Sequence, residues 1–128
     1  MKDAFFDGAG WQAMLSREEF PASPAAIGLL RRQEHASRRG TLLLWRSDGG
    51  SLRADFREYN GTLDADIAVL LVADEDALGL VRDGGLAALP GLIRRGRLSP
   101  YILKTLRELE AAELADFIED LELTEPKH

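Results

Sequence analysis

The chain has 128 residues, of which 45% are hydrophobic and 30% charged, and its formal net charge is −6. This size predicts one domain over residues 1–128, with an irregular N-terminal segment over 1–22 and a frayed tail over 124–128. The negative charge argues against nucleic-acid binding, which begins with the neutralisation of phosphates by clustered cations.

The sequence lacks the signals of membrane insertion, secretion and disulfide formation. Its longest apolar run, residues 67–73, is too short to span a bilayer. Residues 1–10 carry two aspartates and one lysine, unlike a signal peptide, and the chain contains no cysteine. We therefore expect a soluble protein of the cytoplasm.

Two helices are predicted in the first third of the chain. Residues 10–15 favour a short helix. Ser23 and Pro24 are typical first residues of a helix, and apolar residues follow them at helical spacing. We expect this second helix to have about four turns and to end at Gly40.

A strand pattern begins at Thr41. Residues 41–47 and 51–59 are predicted strands, and Asn60-Gly61 is the signature of a tight hairpin turn into a third strand. Residues 67–72 are apolar at every position, so this third strand should be an interior strand that is covered on both faces. The three strands together predict an antiparallel meander.

The hairpin register also pairs charges on the polar face of this meander. It places Asp64 opposite Arg57 and places Asp66 diagonally beside Arg53 and Arg57. These pairings give both aspartates a structural role.

The last third of the chain is predicted to be helical. Asp74, Glu75 and Asp76 should cap a short helix that ends at Gly84-Gly85, and an apolar segment with a proline leads into a basic turn over residues 94–97. Ser99-Pro100 then repeats the Ser-Pro start signal. It predicts a long C-terminal helix from Tyr101 to about Leu123.

This last helix has a broad apolar stripe with one carboxylate in it. The stripe consists of Ile102, Leu103, Leu106, Leu109, Leu114, Phe117, Ile118 and Leu121. Glu110 falls inside the stripe, where it marks a break between two shorter helices, pairs with an arginine, or faces a cavity. The fold class that follows from all these elements is α+β, with a meander of at least three strands packed against helices and a long C-terminal helix.

No residue set in the sequence specifies catalysis, a metal or a cofactor. His35 is predicted to be solvated at the arginine-rich end of a helix, and no nucleophile or acid is indicated beside it. The acids at 64, 66 and 74–76 lack calcium-loop spacing and have structural roles in the hairpin and the helix cap. We therefore expect a protein without enzymatic activity.

The basic turn is the best candidate for an anion or ligand site. Arg94, Arg95 and Arg97 surround Gly96, so guanidinium groups and exposed amides could act together. The simpler interpretation is that these arginines neutralise the acidic end of the last helix.

That acidic end is the candidate partner-binding surface. Glu119, Asp120 and Glu122 come late in a helix, where negative charge opposes the helix dipole and needs compensation. The compensating charge can come from the basic turn of the same chain, from a protein partner, or from a second copy in a homodimer.

Part of the sequence resembles the sterol-carrier (SCP2-like) domain family. The resemblance covers roughly residues 41–98: a meander leads to Ala65-Asp66-Ile67, then to Asp74-Glu75-Asp76-Ala77-Leu78, a glycine pair, and the turn at residues 92–98. It departs from the family at Ser99-Pro100, where the family continues into another strand and a helix start is predicted here. The resemblance implies an apolar small molecule bound between sheet and helices, and no catalytic residues.

These observations lead to one functional hypothesis with one alternative. The first is a small non-enzymatic binding domain for an apolar ligand, without a cofactor. The alternative is a homodimeric protein-interaction module that uses the acidic C-terminal helix.

Overall fold

The computed structural model describes residues 4–18, 23–48 and 51–121 and has an α+β architecture, as predicted. The strands are β1 (Ala26–Arg31), β2 (Gly40–Asp48), β3 (Ser51–Tyr59), β4 (Ile67–Ala73) and β5 (Leu98–Ile102). The α-helices are α1 (Gly8–Leu15), α2 (Arg32–Ser37), α3 (Glu75–Gly84), α4 (Leu89–Arg94), α5 (Leu106–Ala111) and α6 (Ala115–Asp120). Short 3-10 turns at Ala4–Phe6 and Leu86–Ala88 precede α1 and α4. None of the helices in these ranges is long and apolar enough to cross a membrane.

The strands form one mixed sheet in the order β3-β2-β1-β4-β5. β1 and β4 run parallel, and the other neighbouring pairs are antiparallel. The β2–β3 hairpin is confirmed, with Leu43 opposite Phe56 and Arg46 opposite Arg53. The predicted antiparallel meander of three strands is wrong, because β4 does not pair with β3.

Asn60-Gly61 does not form the predicted hairpin turn. The chain leaves the sheet after β3 and returns as β4 between β1 and β5. The Asn60 side-chain oxygen accepts a 2.9 Å hydrogen bond from the Thr62 hydroxyl, which stabilises a loop. The interior position of β4 is nevertheless confirmed, since all of its residues are buried.

The helix predicted from Ser23 to Gly40 is wrong in its first half, which forms β1. Residues 26–30 are all buried, and a short apolar run that is buried on every side has no periodicity to separate a strand from a helix. The Ser23 hydroxyl accepts a 3.1 Å hydrogen bond from the Ala25 amide. The residue that resembled a helix cap therefore closes a turn.

The predicted long C-terminal helix is also wrong, because Ser99 and Pro100 lie in β5 at the edge of the sheet. The Leu103 amide donates to the Ala68 carbonyl at 2.8 Å, so residues 99, 101 and 103 point their nitrogens towards β4. The Pro100 nitrogen points away from the ladder, where no donor is needed. Proline is common in edge strands for this reason.

Two short helices replace the rest of the predicted one. The chain turns between α5 and α6, where Glu113 has a φ of 62°. α5 ends at Ala111, directly after Glu110, so the interpretation of a break between two shorter helices is confirmed. Glu110 is exposed and also lines an open pocket of about 270 Å³. The apolar stripe is buried only in its later part, at Leu109, Leu114, Phe117 and Leu121.

The two faces of the sheet are covered very differently. The first face packs against α1, α3, α4, α5 and α6 and contains the larger core, including Trp11, Leu43, Leu71 and Leu78. The second face has a smaller cluster, formed by Ala26, Leu30, Leu42, Leu44, Tyr59, Ile67, Leu70 and Val72. Near this second face lies α2, which buries none of its own residues.

Both edges of the sheet are protected against unwanted strand pairing. At β3, the Gln12 side-chain amide donates to the Leu52 carbonyl and accepts from the Ala54 amide, both at 2.9 Å. These are the bonds that a further strand would make. At β5, Pro100 removes an outward-facing donor, which makes the edge a poor template for another chain.

Asp74 begins α3 and connects it to the basic turn. Its carboxylate accepts a 2.7 Å hydrogen bond from the Ala77 amide and lies 3.6 Å from the Arg97 guanidinium, so the predicted cap is confirmed. We expect Asp74→Ala to lower the free energy of unfolding by about 1 kcal/mol through loss of the cap. Urea unfolding followed by circular dichroism measures this, with the exposed Asp76→Ala as control. Equal losses in the two variants would contradict the role of the cap.

Candidate functional site

The candidate site is a groove between α3 and α4, and small residues create it. Gly85, with a φ of 77°, ends α3, and a 3-10 turn leads directly into α4, which has Pro90 in its first turn. The groove has a volume of about 610 Å³. It is lined by Leu80, Asp83, Gly84, Ala87, Ala88, Pro90, Gly91, Leu92, Arg94 and Arg95.

One part of the groove lining is apolar. Leu92 is buried, whereas Leu80 lies on the side of α3 away from the core and is 46% exposed. Ala87 is exposed as well and lines the groove together with Leu92. An apolar ligand could therefore cover surface that water now contacts.

The other part of the lining is cationic. Arg94 and Arg95 are exposed at the end of α4, and a Cβ placed on Gly91 would lie 4.0 Å from Arg94 Nη2. The carboxylate that lines the groove, Asp83, pairs with Arg82 Nε at 3.0 Å, and Arg82 also pairs with Asp7 at 3.2 Å. The groove thus combines an apolar wall with guanidinium groups, which suits a ligand that has an apolar body and an anionic group.

The structure separates the three arginines that were predicted together. Arg94 and Arg95 line the groove, whereas Arg97 lies 3.6 Å from Asp74 at the start of α3. Gly96 has a φ of 72°, and its carbonyl accepts a 2.9 Å hydrogen bond from Arg32 Nη2. Arg97 therefore has a structural contact to α3, and of the three candidate arginines only Arg94 and Arg95 line the groove.

The candidate partner residues lie elsewhere. Glu119 and Asp120 are exposed at the end of α6, and Glu122 lies outside the described residues. The role of these three acids in association stays a prediction.

The predicted charge pairs are found in altered form. Asp64 contacts Arg57 as predicted, but through the loop before β4 rather than through a hairpin. Asp66 lies 3.7 Å from Arg46, a partner that the sequence did not predict. Within the described ranges, no group of three or more acidic, histidine or cysteine side chains could hold a metal ion.

The apolar half of the groove has little signal in the sequence. Leu80 falls within the short helix that is predicted to end at Gly84-Gly85, and the sequence does not indicate which side of that helix is exposed. The one available signal was the density of small residues over 84–91 between two apolar segments, which allows close approach but does not indicate a ligand.

Comparisons with known proteins add two similar structures. No protein-family model matches the chain, and no curated protein matches it. A structure described as UbiJ-SCP2, a ubiquinone synthesis protein, is 14% identical with a TM-score of 0.48, over 95% of this chain and 95% of that one. A solution structure of a conserved hypothetical protein from Thermus thermophilus, described as possibly a sterol carrier protein, is 17% identical with a TM-score of 0.39, over 98% of this chain and 85% of that one. Both descriptions contain the name of the family that the sequence resembles. Both TM-scores are below 0.5, so neither similarity identifies a ligand of this chain.

Proposed function

We propose that this protein is a non-enzymatic binding domain for a small amphiphile, such as a fatty acid, held in the groove between α3 and α4. The observation that carries the proposal is the apolar wall of Leu80, Ala87 and Leu92 beside the guanidinium groups of Arg94 and Arg95. The apolar wall would take the hydrocarbon chain, and the arginines would bind the carboxylate.

The size of the groove supports this ligand class. A volume of about 610 Å³ lies within the usual range for small-molecule sites. Each methylene that leaves water contributes about 0.8 kcal/mol, so partial burial of an acyl chain supplies useful affinity. A small carboxylate is a better ligand for these two guanidinium groups than a phosphate-rich polymer is. The chain as a whole is negatively charged and repels such a polymer.

The groove differs in position from the site that the sequence resemblance implies. Between the sheet and the helices, the first-face core is filled by buried side chains such as Leu71, Leu78 and Leu89. The proposed ligand therefore lies between two helices on their outer side, with Leu92 as the floor.

Binding of 12-(9-anthroyloxy)stearic acid, followed by fluorescence, tests the proposal. We expect saturable binding to the full chain and about tenfold weaker binding for the double variant Arg94→Gln/Arg95→Gln, because charge-assisted hydrogen bonds to the carboxylate are lost. Native mass spectrometry of freshly purified protein should also detect bound acyl species.

The matched control is Arg39→Gln/Arg107→Gln, which removes the same charge from two exposed arginines that do not line the groove. It should bind the probe as the parent does. Equal weakening in both double variants would indicate a general electrostatic effect and would contradict the assignment of the groove.

A further inference from the structure

A second cavity lies on the opposite side of the molecule, against the second face of the sheet. Its volume is about 390 Å³. It is lined by His35, Ala36, Arg38, Tyr59, Gly61, Leu63, Leu70, Tyr101 and Leu103. These residues come from α2, the end of β3, the following loop, β4 and the end of β5, so it shares no residue with the groove between α3 and α4.

The fold leaves this space open because little packs over the second face here. α2 has six residues and buries none of them, and the chain between β3 and β4 passes as an irregular loop. Leu70 and Tyr59 are buried beneath the cavity, while Tyr101 and Leu103 are 42% and 41% exposed. These two side chains offer apolar surface to a ligand in the cavity.

The cavity has an aromatic wall. The rings of His35 and Tyr101 have centroids 5.2 Å apart and are tilted by 39°. Tyr59 supplies a third ring, and three leucines complete the apolar lining. A planar ring in the cavity can contact both Tyr101 and the leucines, and aromatic pairs add to the gain from burial alone.

The polar part of the lining is basic. Arg38 has a φ of 61°, and its Nη2 donates a 3.3 Å hydrogen bond to the carbonyl oxygen of Gly61, which is neutral. The lining, all of it within the described part of the chain, contains His35 and Arg38 but no acidic residue. The neighbouring carboxylates of Glu34 and Asp64 contact Arg31 and Arg57 instead.

We propose that this cavity is a second binding site, for a small molecule that combines an aromatic ring with an anionic group. The ring lies against Tyr101 and the leucines, and the anion is bound by Arg38. A second copy of the chain is a poorer occupant, because Pro100 blocks strand pairing at the adjacent edge of β5.

Titration with 8-anilinonaphthalene-1-sulfonate, an aromatic anion that fluoresces in apolar surroundings, tests the site. The titration uses the full chain that carries Arg94→Gln/Arg95→Gln, so that binding in the other groove is reduced. We expect the dissociation constant to rise by about tenfold with Arg38→Gln and with Tyr101→Ser. Both side chains are exposed or half-buried at the cavity, and circular dichroism confirms that each variant folds.

Two controls isolate the roles of charge and ring. Arg39→Gln removes the same charge one position away from the lining, and Tyr101→Phe keeps the ring; both should bind the probe as the parent does. The ring resonances of His35 in NMR spectra should shift on titration, and they are easily assigned since the chain has only two histidines.

The proposal is overturned if Arg38→Gln and Tyr101→Ser both change the dissociation constant by less than about twofold. It is also overturned if sedimentation velocity shows a dimer that Tyr101→Ser dissociates while probe binding stays the same. The outcome is independent of the acyl-binding experiment, because the two sites share no residue.

Discussion

Replacing Trp11 with alanine is expected to lower the free energy of unfolding by about 3–5 kcal/mol, the usual cost of removing a fully buried aromatic side chain. Trp11 is 0% exposed, and its ring centroid lies 5.9 Å from that of Trp45. Its indole N–H lies 3.0 Å from the carbonyl oxygens of both Ala4 and Phe5. The variant therefore opens a cavity in the first-face core and also releases the segment that precedes α1.

Urea unfolding measures this loss, and the sequence offers a convenient signal. The chain has two tryptophans, so Trp45 becomes the sole indole fluorophore in the variant. Trp11→Phe keeps most of the packing and loses the N–H, and we expect an intermediate cost of about 1–3 kcal/mol. Equal stability of the parent and Trp11→Ala would show that the N-terminal segment does not contribute to the core.

The features that could be predicted from the sequence are those fixed by neighbouring residues. Asp74 caps α3 because an acid directly before a helix accepts from amides three residues on, which needs no distant partner. The β2–β3 hairpin likewise follows from two alternating segments around a short turn. The burial of β4 on both faces could be inferred from its unbroken apolar run.

The features that could not be predicted depend on distant parts of the chain. β1 was predicted as a helix because its pairing with β2 and β4 is a tertiary effect that its own residues do not encode. The same holds for Pro100, which begins a helix in isolation but fits the outer edge of a strand next to β4.

The candidate site likewise has one part that could be predicted from neighbouring residues and one part that could not. Arg94 and Arg95 were identifiable because charges around a glycine turn are visible locally. The exposure of Leu80 was not, since it depends on which face of α3 the sheet covers. The second cavity could not be found from the sequence at all, because it joins His35 to Tyr101, which lie far apart along the chain.

Arg31 is the centre of the contacts that hold the N-terminal segment and α3 to the end of β1. Its guanidinium carbon lies 5.1 Å and 4.8 Å from the ring centroids of Phe5 and Phe6. It contacts the Glu34 carboxylate and lies 3.6 Å from that of Glu75. Glu75 in turn accepts a 2.8 Å hydrogen bond from the Phe5 amide.

We expect Arg31→Met to lower the free energy of unfolding by about 2–3 kcal/mol, although methionine keeps the unbranched apolar part of the side chain. The cost arises because the carboxylates of Glu34 and Glu75, both partly buried, lose this shared cation. The adjacent Arg32→Met is the matched control. It removes an exposed arginine and one bond to the Gly96 carbonyl, and should cost no more than about 1 kcal/mol.

The pH dependence of this loss provides a second check. The pKa of Arg31 is raised above its ordinary value, mainly by the hydrogen bond with Glu34. Burial lowers this pKa, whereas the charges of Glu34 and Glu75 raise it further. A raised pKa in the folded state gives stability that is fully present at any pH below the unfolded-state pKa. This stability is lost only as the pH rises through the folded-state pKa, far above neutrality. The difference between parent and Arg31→Met should therefore stay constant from about pH 6 to about pH 9, where carboxylates are ordinarily ionised as well. A difference that vanished within this range, or one no larger than that of Arg32→Met, would show that Arg31 does not hold these elements together through its charge.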